Sequence, residues 1–154
     1  MDFPWQSGFV IAHTQLLARS FRKWTGRDLL PGLFNREGLA KNIFYAPFVV
    51  VSHGTETDPI LNYGNEVALK LWEMSWEEFT RTPSRLTAET TNQAAREKLL
   101  KTVAANGFAE NYSGIRISKS GKRFKISNAV IWNLISEKGE PLGQAATFDK
   151  WEFI

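Results

Sequence analysis

From Asn111 to Trp151 the pattern of apolar and polar positions reads as three consecutive antiparallel strands with one buried face, successive side chains pointing to opposite sides. Between Arg123 and Ile135, the set Phe124, Ile126, Asn128, Val130, Trp132 and Leu134 forms one face, apolar except for Asn128. Tyr112 to Ser118 precedes it through Lys119-Ser120-Gly121-Lys122, where the glycine supplies the positive φ of a tight hairpin turn. A tight hairpin sets the register of both its strands. After the longer polar turn from Ser136 to Pro141, Leu142 to Lys150 returns as a third strand, so the stretch predicts a three-stranded meander.

Upstream the period changes. Trp5, Phe9, Ala12, Leu16, Leu17, Phe21 and Trp24 fall near i, i+3, i+4 spacing, which predicts an amphipathic helix stopped by Thr25-Gly26. Asn35 then caps a short helix from Arg36 to about Tyr45. Residues 1–45 are too short to own a core and read as a helical cap on the domain of residues 46–154. The continuous apolar run Phe48 to Val51 is expected of a central strand covered on both faces. Ser52-His53-Gly54-Thr55 turns it, and Pro59 to Tyr63 makes the second strand. Asn65 caps a helix over Glu66 to Trp72, and Ser75 with Glu78 forms a capping box for another that ends at Phe79. Pro83-Ser84-Arg85 breaks the pattern. A longer helix starts at Thr90 or Thr91, where Thr90 with Gln93 matches a second capping box; it carries the row Ala95, Leu99, Val103 and stops at Asn106-Gly107. The order predicts an α+β fold: a five-stranded antiparallel sheet with short helices on one face and N-terminal cap helices.

At 154 residues the chain fits one domain with a sizeable core, and its six tryptophans and eleven phenylalanines are mostly expected to fill it. With no cysteine there is no disulfide, thiol nucleophile or thiolate ligand. The net charge of +3 is spread along the chain. Its densest group, Lys119, Lys122, Arg123 and Lys125, solvates a hairpin tip, so no nucleic-acid partner is expected. No leader pattern opens the sequence and the longest apolar run is too short to cross a bilayer, so a cytoplasmic chain without membrane contact is expected. No HExxH, nucleophile elbow, P-loop or GxGxxG is present, and Ser52 beside His53 is no dyad, because neighbours on a strand point apart. A non-enzymatic protein is the expectation.

Five strings in order carry a more specific signal: Ser52-His53-Gly54-Thr55, Asp58 to Tyr63, Pro83 to Glu89, Tyr112 to Ile117, and Gly143 to Phe148. They resemble the MEKHLA family, a PAS-related domain found in small bacterial proteins and at the C-terminus of plant class-three homeodomain–leucine-zipper transcription factors. The likeness covers nearly the whole chain and is to the bacterial branch. It implies a PAS-like sheet and short helices around a small cavity, in sensory or ligand-responsive use, with no catalytic residues. A flavin photoadduct needs a cysteine that this chain lacks. Haem needs an axial ligand; of the two histidines, His13 lies on the N-terminal helix and His53 at the end of the first strand, neither on the long helix that would face a haem. The cofactor stays unassigned.

Candidate ligand contacts are the polar residues expected to face inward. Asn128, Thr147 and Gln144 lie on the meander, where each makes either a core hydrogen bond, worth about 1 kcal/mol, or a ligand contact. His53 ends the first strand, where a structural hydrogen bond competes with a ligand role. Arg85 follows a helix break, where an exposed or capping role competes likewise. Arg116 carries most information, because a guanidinium that faces inward must find an anion or a dense set of acceptors. Strand alternation alone sets Arg116 with Gly114 and Ser118 on the wet face. The Ser120-Gly121 turn, however, resembles that of flavin-binding PAS domains, in which the position five before the glycine points into the pocket; here it is Arg116. The reading is a sensory domain that binds a small, anionic molecule, with an internal pair to Glu89 or Glu110 as the alternative use of Arg116. The competing class is an interaction module with a filled core. The N-terminal helix also carries more large apolar residues than one stripe against a small sheet needs, so a homodimer through it is expected.

Overall fold

Ser7 accepts a hydrogen bond from the Val10 N–H and Gly26 takes a φ of 72°, and between these two caps helix α1 runs over Gly8–Thr25. The computed structural model describes residues 3–89 and 93–154, so the capping box expected of Thr90 with Gln93 lies outside the described residues. Asn35 caps α2 (Arg36–Phe44), Asn65 caps α3 (Glu66–Trp72), and the Ser75/Glu78 box opens α4 (Trp76–Phe79). Helix α5 covers Gln93–Asn106 and stops at Gly107, whose φ is 82°. The strands are β1 (Val49–His53), β2 (Leu61–Gly64), β3 (Phe108–Ile117), β4 (Arg123–Ile135), β5 (Pro141–Phe148) and β6 (Lys150–Phe153). Ser52 and His53, expected in a turn, are the last two residues of β1 and pair with Ala145 and Gln144.

The sheet is antiparallel in the order β2-β1-β5-β4-β3. The sixth strand is the fifth continued. Val130 pairs with Thr147 and Ser127 with Lys150 in one unbroken register, interrupted only where Asp149 comes level with Asn128. Gly143 lets β5 lie against β1, since a Cβ there would sit 2.1 Å from the His53 carbonyl oxygen and its φ is 137°.

Asn128 corrects the expected alternation. Its φ is 55°, its side chain is exposed, and it forms a β-bulge with Ser127, so the faces of β4 exchange there. Phe124, Ile126, Ala129 and Ile131 face α3, α4 and α5, whereas Val130, Trp132 and Leu134 face α1 and α2. A second bulge at Asn111, φ 56°, absorbs the offset on β3, and pairing on either side keeps one register. Asparagine tolerates left-handed backbone better than other side chains. Short helices therefore cover one face and the N-terminal cap covers the other.

Helix α1 spends its apolar residues on the sheet. Val10, Leu17 and Phe21 are buried with Val50, Trp132 and Leu134, and Leu16 and Trp24 pack at the margin; Phe9, 62% exposed, is the large apolar side chain left outside. The surplus that pointed to a dimer is thus mostly buried within the chain. His13, also buried, bonds Ser52 Oγ from Nε2 at 2.8 Å, and Ser52 donates in turn to Asn62 Oδ1 at 2.6 Å. Ser52 has given its only proton to Asn62, so His13 donates to it and is no base toward it. Burial lowers the His13 pKa from 6.5 to about 4. No helix among the described residues is long and apolar enough to cross a membrane.

Two outcomes follow. Asn128→Gly should unfold in urea within about 0.5 kcal/mol of the parent, while Asn128→Val should lose about 1–2 kcal/mol to the left-handed backbone; equal midpoints for Val and Asn would contradict the bulge. His13 is neutral in the fold and titrates higher when unfolded, so its contribution is complete above pH 6.5 and lost as pH falls toward 4. The loss amounts to roughly 3 kcal/mol. His13→Gln, which keeps a donor for Ser52, should flatten that part of the pH–stability curve, and an equally steep curve in the variant would contradict it.

Candidate functional site

The inner face of the sheet and the helices over it leave a cavity of about 110 Å³. Val51, Leu61, Ile126, Ile131, Ala146 and Phe148 form its apolar floor, and Trp72 and Phe79 its roof. The Asn65 cap starts α3 so that Trp72 ends it over the sheet, ring to ring with Phe79, Phe124 and Phe148 at 5.9, 5.4 and 6.2 Å. Asn65 is itself buried with every polar atom used: its carbonyl accepts from Val50 and Ala68, and its amide donates to Ile43 and Phe48.

Residues 83–89 form a strap across the open side. One end is tied to the β2 edge, by a bridge between Pro83 and Ile60 and by Ser84 N–H to the Pro59 carbonyl at 2.8 Å. The other is tied to the β3 edge, by a bridge between Ala88 and Arg116 and by Glu89 N–H to the Ile115 carbonyl at 3.1 Å. Glu89 also accepts two bonds from Arg123, at 2.7 and 3.1 Å. Trp72 Nε1 donates to the Thr87 carbonyl at 3.3 Å and holds the middle. Pro83 and Ala88 are five residues apart, a reach of at most ~18 Å and less with the 3₁₀ turn at Ser84–Thr87. Hence β2 and β3, the outermost strands, curl toward each other around the cavity.

Arg116 pairs with Phe124 and shares its inward face, so the wet side that simple alternation assigns to it is the cavity side. The half-buried guanidinium donates from Nη1 to the Ile115 carbonyl at 3.1 Å and lies over the Tyr112 ring, 5.5 Å from its centroid. Gly114 makes room for it: a Cβ there would stand 2.9 Å from Nη1 and 2.8 Å from Tyr112 Oη. Both acids considered as internal partners are engaged elsewhere, Glu89 with Arg123 and Glu110 with Arg27. Among the described residues no ion pair involves Arg116, and no carboxylate lines the cavity. Arg123 is the contrasting case, its pKa raised by the hydrogen bonds and charge of Glu89.

His53 and Gln144, paired across β1 and β5, also line the cavity. His53 Nδ1 lies 2.9 Å from the Gly54 carbonyl, and Gln144 Nε2 donates to Asn133 Oδ1 at 3.4 Å. The other three candidates lie elsewhere. Asn128 is exposed at the bulge. Thr147 belongs to the α1 face and donates to the Val49 carbonyl at 2.8 Å; three residues from Gln144, it cannot share a strand face with it. Arg85 is exposed on the strap and pairs with Asp58 at 3.2 Å. Ser84, Thr87 and Trp72 line the cavity without being among the residues the sequence points to, and Gly114 leaves room for Arg116 beside it. The Pro83 to Glu89 string marked the strap without showing that it crosses a cavity.

The MEKHLA domain family matches residues 11–153. No curated protein sequence matches the chain. Among solved structures, the PAS domain of a protein from Colwellia psychrerythraea aligns with a TM-score of 0.62 at 15% identity, covering 75% of this chain and 92% of that one. A light-oxygen-voltage domain studied with a flavin analogue gives 0.57 at 14% identity, over 75% of this chain and 84% of that one. An RNA-binding light-oxygen-voltage receptor gives 0.64 at 18% identity, over 80% of this chain and 36% of that one. At such identities the likeness is one of fold, and the fold is of the PAS type.

Proposed function

We propose that this chain, which belongs to the MEKHLA domain family and has a PAS-type fold, is a sensory domain that holds a small anionic molecule in its cavity through Arg116. The observation that carries this reading is a half-buried guanidinium facing a cavity with no acid to pair it among the described residues. A buried charge without a counter-charge is costly, and a planar fork of N–H donors matches a carboxylate or phosphate. The size of the cavity favours a ligand far smaller than the drug-sized molecules that fill pockets of about 300–1,000 Å³.

The competing reading is a docking module, in which exposed Phe9 on α1 meets a partner or a second copy. Phe9 is the one large apolar side chain that α1 leaves exposed, and this reading gives the half-buried Arg116 guanidinium no role. Thermal unfolding separates the two. In the first reading, short carboxylates at a hundred times their Kd stabilise the parent by about 2.7 kcal/mol, a rise in Tm of roughly 5–10 °C. Arg116→Met should stay folded by circular dichroism and show no rise. No response in the parent, or an equal response in the variant, counts against Arg116 as the anchor.

A further inference from the structure

We infer that the cavity takes a short-chain monocarboxylate with an unsubstituted aliphatic tail, its carboxylate on Arg116 and its tail against Ile126 and Trp72. The inference rests on the anion reading above and names the class of anion. Strand register brings these three side chains together. Arg116 pairs with Phe124, and Ile126 stands two residues along β4 on the same inner face, opposite Gly114. Diagonal neighbours of this kind lie within reach of a long side chain. The Trp72 ring packs on Phe124 at 5.4 Å, and Arg116, Ile126 and Trp72 all line the cavity. His53 and Gln144 stand level with Asn133, at the other end of β4 from Phe124, and are no part of this seat.

Charge and size narrow the class. Arg116 spends one N–H on the Ile115 carbonyl and keeps the rest of its fork for a carboxylate. Neither Trp72 nor Thr87 has a proton to add. Trp72 Nε1 donates to the Thr87 carbonyl, and Thr87, next to the Ala88 that bridges Arg116, gives its hydroxyl proton to the Ser84 carbonyl at 2.7 Å. A second carboxylate, or the further charge of a phosphate, would therefore lie against apolar side chains without a partner, which is costly. A hydroxyl or amino substituent on the tail would meet Ile126 and the Trp72 ring and lose its hydrogen bonds to water. A dry apolar cavity of about 150 Å³ holds benzene, so one of about 110 Å³ holds about four or five non-hydrogen atoms. That is the size of acetate or propionate.

Calorimetric titration of the full chain with acetate, propionate, butyrate and hexanoate, against succinate and inorganic phosphate, tests this in a buffer free of carboxylate and phosphate. Propionate should bind about fourfold more tightly than acetate, the effect of one buried CH₂, and hexanoate more weakly than propionate. Succinate and phosphate should bind about tenfold more weakly than propionate, or worse. Ile126→Ala should make butyrate or hexanoate the tightest binder, and Ile126→Val, the smaller change, should raise butyrate relative to propionate. Circular dichroism checks that each variant is folded; should Ile126→Ala be unfolded, Ile126→Val and the parent series decide. Succinate or phosphate binding the parent as tightly as propionate overturns the monocarboxylate assignment and leaves the anion reading standing. Equal affinity along the chain-length series, or a rise that continues to hexanoate, overturns the apolar seat and its size. An order of affinities unchanged in the folded Ile126 variants overturns the place given to the tail. Binding of none of these anions overturns both this inference and the anion reading.

Discussion

One strand has to be buried on both faces by different partners, and the rest of the fold follows from how it manages this. The first half of β4 gives Phe124 and Ile126 to the cavity side, and its second half gives Trp132 and Leu134 to α1. A regular strand carrying this sequence would turn Val130, Trp132 and Leu134 toward the cavity helices and leave α1 without its seat. The bulge at Asn128 exchanges the faces, and the one at Asn111 returns β3 to register so that Arg116 and Phe124 meet on the inner face. The break between β5 and β6 falls at the same level, so the sheet bends on both sides of β4 at once.

That bend, together with the strap, encloses the cavity. The strap joins the two outermost strands, and hydrogen bonds, a bridge at each end and the Glu89 to Arg123 pair hold it. The Ile115 carbonyl accepts from both Glu89 N–H and Arg116 Nη1, so the cavity cation and the strap share one acceptor. Among the described residues the half-buried Arg116 guanidinium meets a carbonyl and a tyrosine face and no carboxylate, so its charge is left unpaired. Surface ion pairs occupy Glu89 and Glu110, and among the described residues Arg116 has no such partner.

Most of the architecture was legible because it is written in local rules. Asn35, Asn65 and the Ser75/Glu78 box each cap the helix expected of them, and the Ser120-Gly121 turn sets the β3–β4 hairpin. The inward position of Arg116 also agreed with the family likeness. What failed was counting by twos through irregular backbone. Regular alternation makes Asn128 an inward polar residue, yet an asparagine amid apolar residues is also a side chain well suited to a left-handed bulge. Thr147 and Gln144, expected on one inner face, stand an odd number of residues apart and so lie on opposite faces of β5. The His13–Ser52–Asn62 chain joins residues far apart in sequence, and no local pattern announces it.

Native mass spectrometry of the chain, purified without carboxylate or phosphate buffers, reads the cavity directly when followed by denaturation and identification of what is released. A small organic anion bound one to one in the parent and missing from Arg116→Met is the result expected of an unpaired guanidinium facing a cavity. A parent at the mass of the bare polypeptide, or an Arg116→Met chain that carries the same compound, would contradict it.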